Sequence, residues 1–376
     1  MSEVVVVGAG ITGCYLAYFL AKKGISVSLL DHSGMGEHAT AKNPGGLNPL
    51  HGPGIPGIMS ALAIRSFELH QELQPEIQEI SGLDFEGHLV SRLELALNED
   101  EIESLRESAI LYNSIDGYSA EWLKPKELLK EEPRIARGVL AALLMKGNGM
   151  VNSYNYARAV SFAGKKLGVQ LQKAEVVGIE TSKGRVEHIL TKEGKLTCDA
   201  VVFATGPWFE GPSRWLDTDL PVKPLKGQLL LAEMPGRAFP YHITRGAVGI
   251  YVTPTGRIWL GGTQEDVGFD ASPTVEGRKE ILAALSEIIP DIVSANIFEH
   301  LAAFRPVTPD RFPLVGRVPD FENAFVASGG GVKGLLLSTG IAEAVVAEIT
   351  SRALPDSVKA FSPSRFINNS SSASKN

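Results

Sequence analysis

The opening stretch of the chain, EVVVVGAGITGCYLAYFL at residues 3–20, constrains the fold more than any other segment. Four valines at 4–7 are apolar on both faces, which is typical of a buried parallel strand. Residues 11–23 favour a helix that ends at Gly24, and residues 25–30 favour a second strand that ends in Asp31. This order predicts a βαβ unit over residues 3–31.

Three glycines after the valines occupy the positions of a dinucleotide fingerprint, namely Gly8, Gly10 and Gly13. The first permits a tight turn, the second lets a pyrophosphate approach the backbone, and the third lets helix and strand pack closely. The helix N-terminus offers free N–H groups to the phosphates. Asp31 stands where a carboxylate accepts hydrogen bonds from a ribose 2′-hydroxyl and disfavours a 2′-phosphate. The opening therefore predicts a dinucleotide site but does not separate NAD from FAD.

Two distant segments favour FAD. CDAVVFATGPW at 198–208 is a strand ending in Ala-Thr-Gly, which brings backbone close to a long cofactor. ASGGGVKGLL at 327–336 precedes the last long helix, and its glycines and helix start could supply N–H donors to a flavin ring. The position of the fingerprint at the extreme N-terminus is also usual in flavoproteins.

Composition limits the alternatives. A length of 376 residues favours two domains, and a net charge of −7 excludes a global basic field that would collect nucleic acid. No apolar run approaches the roughly 18–20 residues that span a bilayer, and the N-terminus lacks the features of a secretory signal. Only Cys14 and Cys198 are present, so a reducing cytoplasm is the simpler interpretation, although one bridge is possible. His and Cys do not cluster with ligand spacing, and we expect no metal.

The order of elements predicts an α/β fold in which a Rossmann-like FAD-binding domain is built from separated segments and carries an inserted β-sheet substrate domain. We expect a long irregular segment at 34–57, a helix at 58–73 that Pro75 ends, and a turn at 147–150 before the next helix. The FAD-binding domain is assigned to 1–80, 145–215 and 305–366, the substrate domain to 81–144 and 216–304, and a flexible tail to 367–376.

Several further motifs occur in a fixed order, among them ATAKNPGGLNP, PVKPLKGQLLL, YVTPTGRIWLGGTQEDVGFD and FRPVTPDRFPLVG. With the opening, FATGPW and SGGGVKG, they make the chain resemble the FAD-dependent oxidoreductases of the D-amino-acid oxidase superfamily, from the first strand to about residue 366. The similar types are glycine oxidases, sarcosine oxidases and the flavin subunits of dye-linked amino-acid dehydrogenases.

The resemblance implies a set of cofactor contacts along the chain. The pyrophosphate, the adenosine ribose and the adenine are assigned to the opening turn, to the end of the second strand and to a later strand. The isoalloxazine is assigned to the Gly-rich loop, the FATGPW turn and the last glycine loop. The residues concerned are Gly8, Gly10, Ile11, Thr12, Gly13, Asp31, His32, Ala41, Gly45, Gly46, Leu47, Val176, Thr205, Gly206, Trp208, Gly331, Val332, Lys333, Gly334 and Leu335.

Two residues carry the implied substrate chemistry, Tyr251 within the inserted domain and Arg305 at its boundary, where the last FAD-binding segment begins. Arg305 lies where the glycine-oxidase branch places an arginine that binds the substrate carboxylate, and a guanidinium suits a bidentate carboxylate contact. Tyr251 lies where that branch has a tyrosine supporting the same carboxylate, although a strand tyrosine packed in the sheet is an equal alternative. Val332 and Gly330 stand where a second arginine or a histidine is usual, so a second carboxylate contact is unsupported.

The resemblance also implies the reaction, a hydride transfer from the carbon next to an amine to flavin N5, after which the imine hydrolyses. FAD is expected to be noncovalent, because Ala302 or Ala303 replaces the cysteine that carries the flavin in sarcosine oxidases. Trp259 replaces an oxygen-activating lysine, so the electron acceptor, oxygen or a redox partner, stays open. A stand-alone or homo-oligomeric oxidase, the flavin subunit of a hetero-oligomeric dehydrogenase, and a tailoring or RNA-modifying oxidoreductase all remain alternatives.

Overall fold

The computed structural model describes residues 3–350, 354 and 356–366, so the predicted tail at 367–376 lies outside the described residues. The described residues form strands, α-helices and two 3-10 turns, Pro290–Ser294 and Gly331–Lys333. The strands are β1 (Glu3–Val7), β2 (Ser26–Asp31), β3 (Gly46–Leu47), β4 (His88–Ala96), β5 (Ser119–Leu123), β6 (Ala141–Met150), β7 (Gln170–Lys173), β8 (Val176–Ser182), β9 (Arg185–Thr191), β10 (Lys195–Thr197), β11 (Ala200–Phe203), β12 (Lys223–Glu233), β13 (His242–Arg245), β14 (Val248–Val252), β15 (Ile258–Gly261), β16 (Asn296–Val307), β17 (Leu314–Arg317) and β18 (Ala324–Ser328). The helices are α1 (Ile11–Lys22), α2 (Ser60–Ser81), α3 (Glu99–Asn113), α4 (Pro125–Glu131), α5 (Ser153–Lys166), α6 (Glu210–Trp215), α7 (Val275–Ser286), α8 (Gly334–Ile349) and α9 (Asp356–Lys359).

A six-stranded sheet with the order β17-β18-β11-β1-β2-β7 carries the predicted βαβ unit. β1 pairs in parallel with both β2 and β11, β2 with β7, and β11 with β18, while β17 is antiparallel at one edge. Helices α1, α2, α5 and α8 pack over one face, and the small β8–β10 sheet and α6 cover the other. Because the strands are buried on both faces, their valine-rich sequences need no alternation. The predicted α/β class is confirmed.

A second, nine-stranded sheet has the order β16-β12-β15-β14-β13-β4-β6-β3, with β5 also paired to β6. The long antiparallel β12–β16 pair sets Leu225 opposite Arg305, and the β14–β15 pair sets Tyr251 opposite Trp259. Helix α7 and apolar residues of β4, β12, β14 and β15 form a separate core on one face of this sheet. The sheet therefore carries both predicted substrate residues, Arg305 on β16 and Tyr251 on β14, with β12 and β15 between those two strands.

Two expectations from the sequence are wrong. Helix α2 does not end before Pro75 but continues to Ser81, because Leu73 and Ile77 on either side of the proline are buried in the core of the six-stranded sheet. That packing outweighs the one intrahelical hydrogen bond that proline removes. Residues 147–150 are not a turn but the end of β6, where Gly149 pairs with both Leu89 and Leu47.

The predicted domain boundaries stay a prediction, and two of them fall inside the strands β6 and β16. The irregular character of residues 34–57 holds except for the two-residue strand β3. None of the described helices is long and apolar enough to cross a membrane.

Candidate active site

A large cavity lies between the carboxyl ends of β1, β2 and β11 and the strands that carry the predicted substrate residues. Its volume is about 1270 Å³, and its wall extends from Asp31 to Tyr251 and Arg305. Pockets for small ligands usually occupy roughly 300–1,000 Å³. Ligands of open α/β sheets bind outside the carboxyl ends of the strands. The cavity therefore has the position and the size for an extended dinucleotide together with a small substrate.

The three glycines of the opening turn have different roles: two are needed for close packing of the backbone, and one faces the ligand space. Gly8 has φ +105°, and a Cβ on it would overlap the carbonyl of Ala204. A Cβ on Gly13 would overlap the carbonyl oxygen of Gly8, so this glycine allows the close contact of helix and turn. At Gly10 the nearest atom to an added Cβ is Oγ1 of Thr40 at 3.7 Å. Of the three, Gly8 and Gly10 line the cavity, and only Gly10 has room beside it.

Asp31 ends β2 at the cavity wall and already holds the turn together. Its Oδ2 accepts from the N–H of Ala9 at 2.8 Å, and its Oδ1 accepts from the N–H groups of Ser33 and Gly34, each at 2.9 Å. Burial by itself raises the pKa of Asp31, but these hydrogen bonds outweigh it and lower the pKa. The carboxylate is thus ionised and, with two oxygens, can still accept a ribose hydroxyl.

Most of the predicted cofactor residues meet at this cavity. The last glycine loop is joined to the FATGPW turn by a hydrogen bond from Ser328 Oγ to the carbonyl of Gly206 at 2.7 Å. The predicted residues on the wall are Gly8, Gly10, Ile11, Thr12, Asp31, His32, Gly46, Val176, Thr205, Gly206, Trp208, Gly331, Val332, Lys333, Gly334 and Leu335.

Four predicted cofactor residues do not line the cavity: Gly13, Ala41, Gly45 and Leu47. Gly45 has φ +100°, and a Cβ there would overlap the carbonyl oxygen of Val151, so its role is close packing of the chain. Leu47 is fully buried in the core and pairs with β6. Ala41 faces a much smaller cavity of about 60 Å³ on another side of the loop.

The wall fits FAD. The first turn of α1 presents the N–H group of Thr12 to the cavity, ahead of the first intrahelical hydrogen bond, which runs from the N–H of Cys14 to the carbonyl of Gly10. The start of α8 at Gly334 opens onto the same cavity, so two helix N-termini face it. Together with the open side of Gly10, these groups suit an anionic pyrophosphate and an electron-rich ring.

Arg305 projects from β16 into the cavity. Its Nη1 donates to the carbonyl of Thr263 at 2.9 Å, and no carboxylate of the described residues lies within 4.0 Å of it. The acid whose charge acts on Arg305 is Glu265, which is already bound by Lys226, Gln228 and Thr263. Burial lowers the pKa of Arg305, although Tyr251 and Glu265 oppose the shift. A guanidinium remains charged in proteins, so the cavity contains a cation without a paired anion.

Tyr251 lies on β14 and also lines the cavity. Its ring packs over Gly249, where an added Cβ would lie 3.0 Å from Cζ, and it meets the ring of His242 edge-on at 5.5 Å. Burial raises the pKa of Tyr251, while the charges of Arg92 and Arg305 act to lower it. The phenol is therefore neutral and close to two arginines, where it can donate a hydrogen bond.

Sequence reasoning missed a buried polar cluster on the same wall. Arg92 on β4 is 3% exposed, donates from Nε to Thr244 Oγ1 at 2.7 Å, and pairs through Nη2 with Glu94. The same Nη2 contacts His51 Nε2 at 3.0 Å. The signal available in the sequence was the alternation in HLVSRLELA, which places Arg92 and Glu94 on one face of a strand.

Comparisons with known proteins agree with this geometry. The sequence matches the family described as FAD dependent oxidoreductase, abbreviated DAO, over residues 3–348. It is 31% identical to a glycine oxidase of Pseudomonas aeruginosa, with 90% of this chain and 92% of that protein covered. It is 26% identical to the hydrogen cyanide synthase subunit HcnC of the same species, with 97% and 96% covered. The structure superposes on the crystal structure of glycine oxidase from Geobacillus kaustophilus with a TM-score of 0.90 and 26% identity, covering 98% of this chain and all of that one.

Proposed function

This chain belongs to the DAO family of FAD-dependent oxidoreductases, and from that premise we propose that it oxidises the C–N bond of a small amino acid or secondary amine. The substrate carboxylate binds Arg305, with the hydroxyl of Tyr251 donating a second hydrogen bond. The product imine hydrolyses in water to an oxo compound and a free amine. The name of the relative from Pseudomonas aeruginosa, a glycine oxidase, supports a small amino acid as the substrate class.

One observation carries this proposal: a cationic guanidinium on the cavity wall has no acid partner among the described residues. A charge that is removed from water and left unpaired is costly, and such groups are normally compensated. Arg305 keeps one N–H on the carbonyl of Thr263 and directs its remaining donors elsewhere. A carboxylate is the anion whose geometry a planar guanidinium matches best.

The chemistry divides between cofactor and protein. FAD, when bound, supplies the acceptor for the hydrogen and electron pair that leave the carbon next to the amine. The protein residues hold the substrate in one orientation, because a carboxylate fixed on Arg305 leaves little freedom to the adjacent amine carbon. The burial of Arg305 and Tyr251 also keeps bulk water from competing for the same hydrogen bonds.

The test is anaerobic reduction of the purified holoenzyme by a panel of glycine, sarcosine, proline, and D- and L-amino acids, together with the corresponding decarboxylated amines. We expect the absorbance of oxidised flavin to bleach with one or more amino acids and not with the matching amine that lacks the carboxylate. Bleaching by amines with and without the carboxylate at equal rates would contradict the role of Arg305. No bleaching by any member of the panel would reject the reaction class as proposed.

A second candidate is that the chain is the flavin subunit of a larger dehydrogenase. The observation in its favour is its similarity over nearly its whole length to HcnC, which is named as a subunit. The chain then passes electrons to a partner protein instead of oxygen. Hydrogen peroxide formed in amounts equal to the substrate consumed identifies the oxidase. Turnover that needs an artificial dye, with little peroxide, identifies the subunit.

We also propose a cytoplasmic location. Cys14 and Cys198 are both free and buried in the structure. Burial raises the pKa of Cys14 to about 12 and that of Cys198 to about 11, so neither is a reactive thiolate near neutral pH. The assignment is tested by measuring the amount of this protein in the cytosolic and membrane fractions of its cell of origin, and we expect it in the cytosolic fraction.

A further inference from the structure

We propose that the cavity contains a second anion-binding subsite at Lys333, and that the substrate is a dicarboxylic amine or amino acid whose second carboxylate binds there. The inference rests on the proposed function, because it assigns the first carboxylate to Arg305. It narrows the substrate class from small amino acids in general to those that carry two acidic groups.

Lys333 is held with its amine on the cavity wall. The side chain crosses Gly52, where an added Cβ would overlap Cε and lie 3.1 Å from Nζ. Nζ donates to the carbonyl of Asn48 at 2.8 Å. An ammonium has three N–H donors, so two remain for a ligand. No carboxylate of the described residues lies within 4.0 Å of Nζ, and Lys333 therefore has no counter-ion of its own in that part of the chain.

The neighbours of Lys333 add donors and leave the subsite with a net positive charge. His51 and Arg92 line the same cavity, the charge of Arg92 acts on Lys333, and burial together with these two cations lowers the pKa of His51, so the imidazole is neutral. Because Arg92 donates to His51 Nε2, the histidine carries its proton on Nδ1, which is a further donor. Glu94 neutralises Arg92 and accepts from the N–H of Gly246 at 2.8 Å and from the hydroxyl of Thr244, so both of its oxygens are already engaged.

The subsite is adjacent to Arg305. The 3-10 turn that ends in Lys333 packs against β16, the strand that carries Arg305. A Cβ on Gly331 in this turn would lie 3.9 Å from Val307 of β16. Tyr251 lines the same cavity, and the charges of Arg92 and Arg305 both act on its hydroxyl. Because Lys333 and Arg305 line one cavity and the segments that carry them pack together, we assign both cations to one small molecule.

Two cations on one wall favour a doubly charged ligand. A monocarboxylic substrate compensates Arg305 and leaves Lys333 unpaired in a poorly hydrated site. A dicarboxylic substrate compensates both and gains a charge-assisted hydrogen bond from each. A competing explanation is that Lys333 contacts the flavin ring instead of the substrate, and the test below distinguishes these two roles.

The test compares matched pairs of inert acids bound to the holoenzyme and detected by the change they cause in the flavin absorption spectrum. The pairs are propionate with malonate, butyrate with succinate, and pentanoate with glutarate, so that chain length is varied and apolar contact is kept similar. At about pH 6.5, below the pKa of about 7 that burial gives Lys333, we expect at least one dicarboxylate to bind about tenfold or more tightly than its partner. Lys333→Met should reduce that preference to less than about threefold while retaining monocarboxylate binding. Lys146→Met, which removes an exposed lysine of β6 that does not line the cavity, should keep the preference.

Three results overturn the subsite. In the first, the dicarboxylates bind the wild-type protein no more tightly than the matching monocarboxylates. In the second, the preference for dicarboxylates survives in Lys333→Met. In the third, the Lys333→Met protein loses FAD or changes its affinity for both members of each pair equally. The last result assigns Lys333 to the cofactor. Monocarboxylate binding that is abolished by Arg305→Met, without any preference for two acids, rejects only the subsite and retains the proposed function. Binding of neither kind of acid, with no amine oxidised, rejects both.

Discussion

The guanidinium of Arg305 lies against the backbone of Gly227: a Cβ added to Gly227 would overlap Nη1, Nη2 and Cζ of the arginine. Gly227 is on β12, opposite Ala303 and two residues from the partner of Arg305 in the β12–β16 ladder. An added Cβ on Gly262 would also lie 3.3 Å from Nη2. The arginine thus packs against the backbone of two glycines, which limits the directions open to its remaining donors.

Replacing Arg305 by Met tests the carboxylate contact directly. We expect kcat/KM for the best amino-acid substrate to fall well over tenfold, since losing a buried ionic contact costs roughly 2–5 kcal/mol. The matched control is Arg311→Met, which removes an exposed arginine near the cavity rim and should leave kcat/KM within about threefold. A value for Arg305→Met within threefold of the wild type would show that the substrate is held in another way.

Replacing Gly227 by Ala tests positioning without removing any charge. The added methyl group must displace the guanidinium, so we expect KM for the amino acid to rise about tenfold or more with little change in FAD affinity. The control is Gly178→Ala in β8, where the new Cβ meets Leu190 at an ordinary 3.5 Å and should be harmless. A Gly227→Ala enzyme with wild-type KM would mean that the orientation of Arg305 is unimportant.

The parts of the fold that the sequence predicted are those decided by local pattern. The strand, turn and helix at 3–31 are specified by valines, glycines and the final acid, all within one supersecondary unit. Helix α2 passes Pro75 because distant residues pack against both of its halves, and no local rule contains those contacts.

The site was only partly predictable for the same reason. Arg305 and Tyr251 could be named because they stand in motifs shared with a known family, and the structure brings both to the cavity. The polar cluster of Arg92 and Glu94 is completed by the parallel β4–β13 pairing, which sets Glu94 opposite Thr244, 150 residues away in the chain. The local sequence of β4 does not contain this contact. Lys333 was expected to bind cofactor as the one charged residue of its loop, but its contacts with Asn48 and Gly52 depend on a fold that its own neighbours do not specify.

The preference for dicarboxylates should depend on pH through Lys333. The lysine pKa is lowered to about 7 by burial first and by the charge of Arg92 second. Below about pH 7 the amine of Lys333 is already protonated before the ligand binds, and the affinity for dicarboxylates is maximal. Above about pH 7 the affinity should fall by up to about tenfold per pH unit, because Lys333 must take up a proton when the dicarboxylate binds. Affinity for monocarboxylates, which depends on the permanently charged Arg305, should remain flat from about pH 6 to 9. Equal pH dependence for both kinds of acid would refute this assignment.

We expect the buried residue His70 to lower the free energy of unfolding in mild acid. It is fully buried, with Nδ1 3.0 Å from the hydroxyl of Tyr156 and Nε2 2.9 Å from the carbonyl of Leu336. Burial lowers the pKa of His70 from 6.5 to about 4, so between these values the unfolded chain binds a proton that the folded chain does not. Stability should therefore fall with decreasing pH in this window, by about 1.4 kcal/mol per pH unit from this residue. Chemical denaturation of His70→Gln at several pH values should give a shallower slope than wild type, whereas His88→Gln, at an exposed position, should leave the slope unchanged.

Gly10 and Gly13 should respond differently to alanine, although both belong to the same fingerprint. A Cβ on Gly13 overlaps the carbonyl oxygen of Gly8, so Gly13→Ala must separate α1 from the turn and lower the stability of the apoprotein by several kcal/mol. A Cβ on Gly10 has only Thr40 Oγ1 near it, at 3.7 Å, and the backbone φ of −67° suits alanine. Gly10→Ala should therefore fold with a wild-type apoprotein Tm and lose about tenfold or more in FAD affinity, since the methyl group takes the space where a pyrophosphate approaches the backbone. Thermal unfolding of the apoproteins and titration with FAD separate the two effects, and a Gly10→Ala protein that binds FAD as tightly as wild type would place the pyrophosphate elsewhere in the cavity.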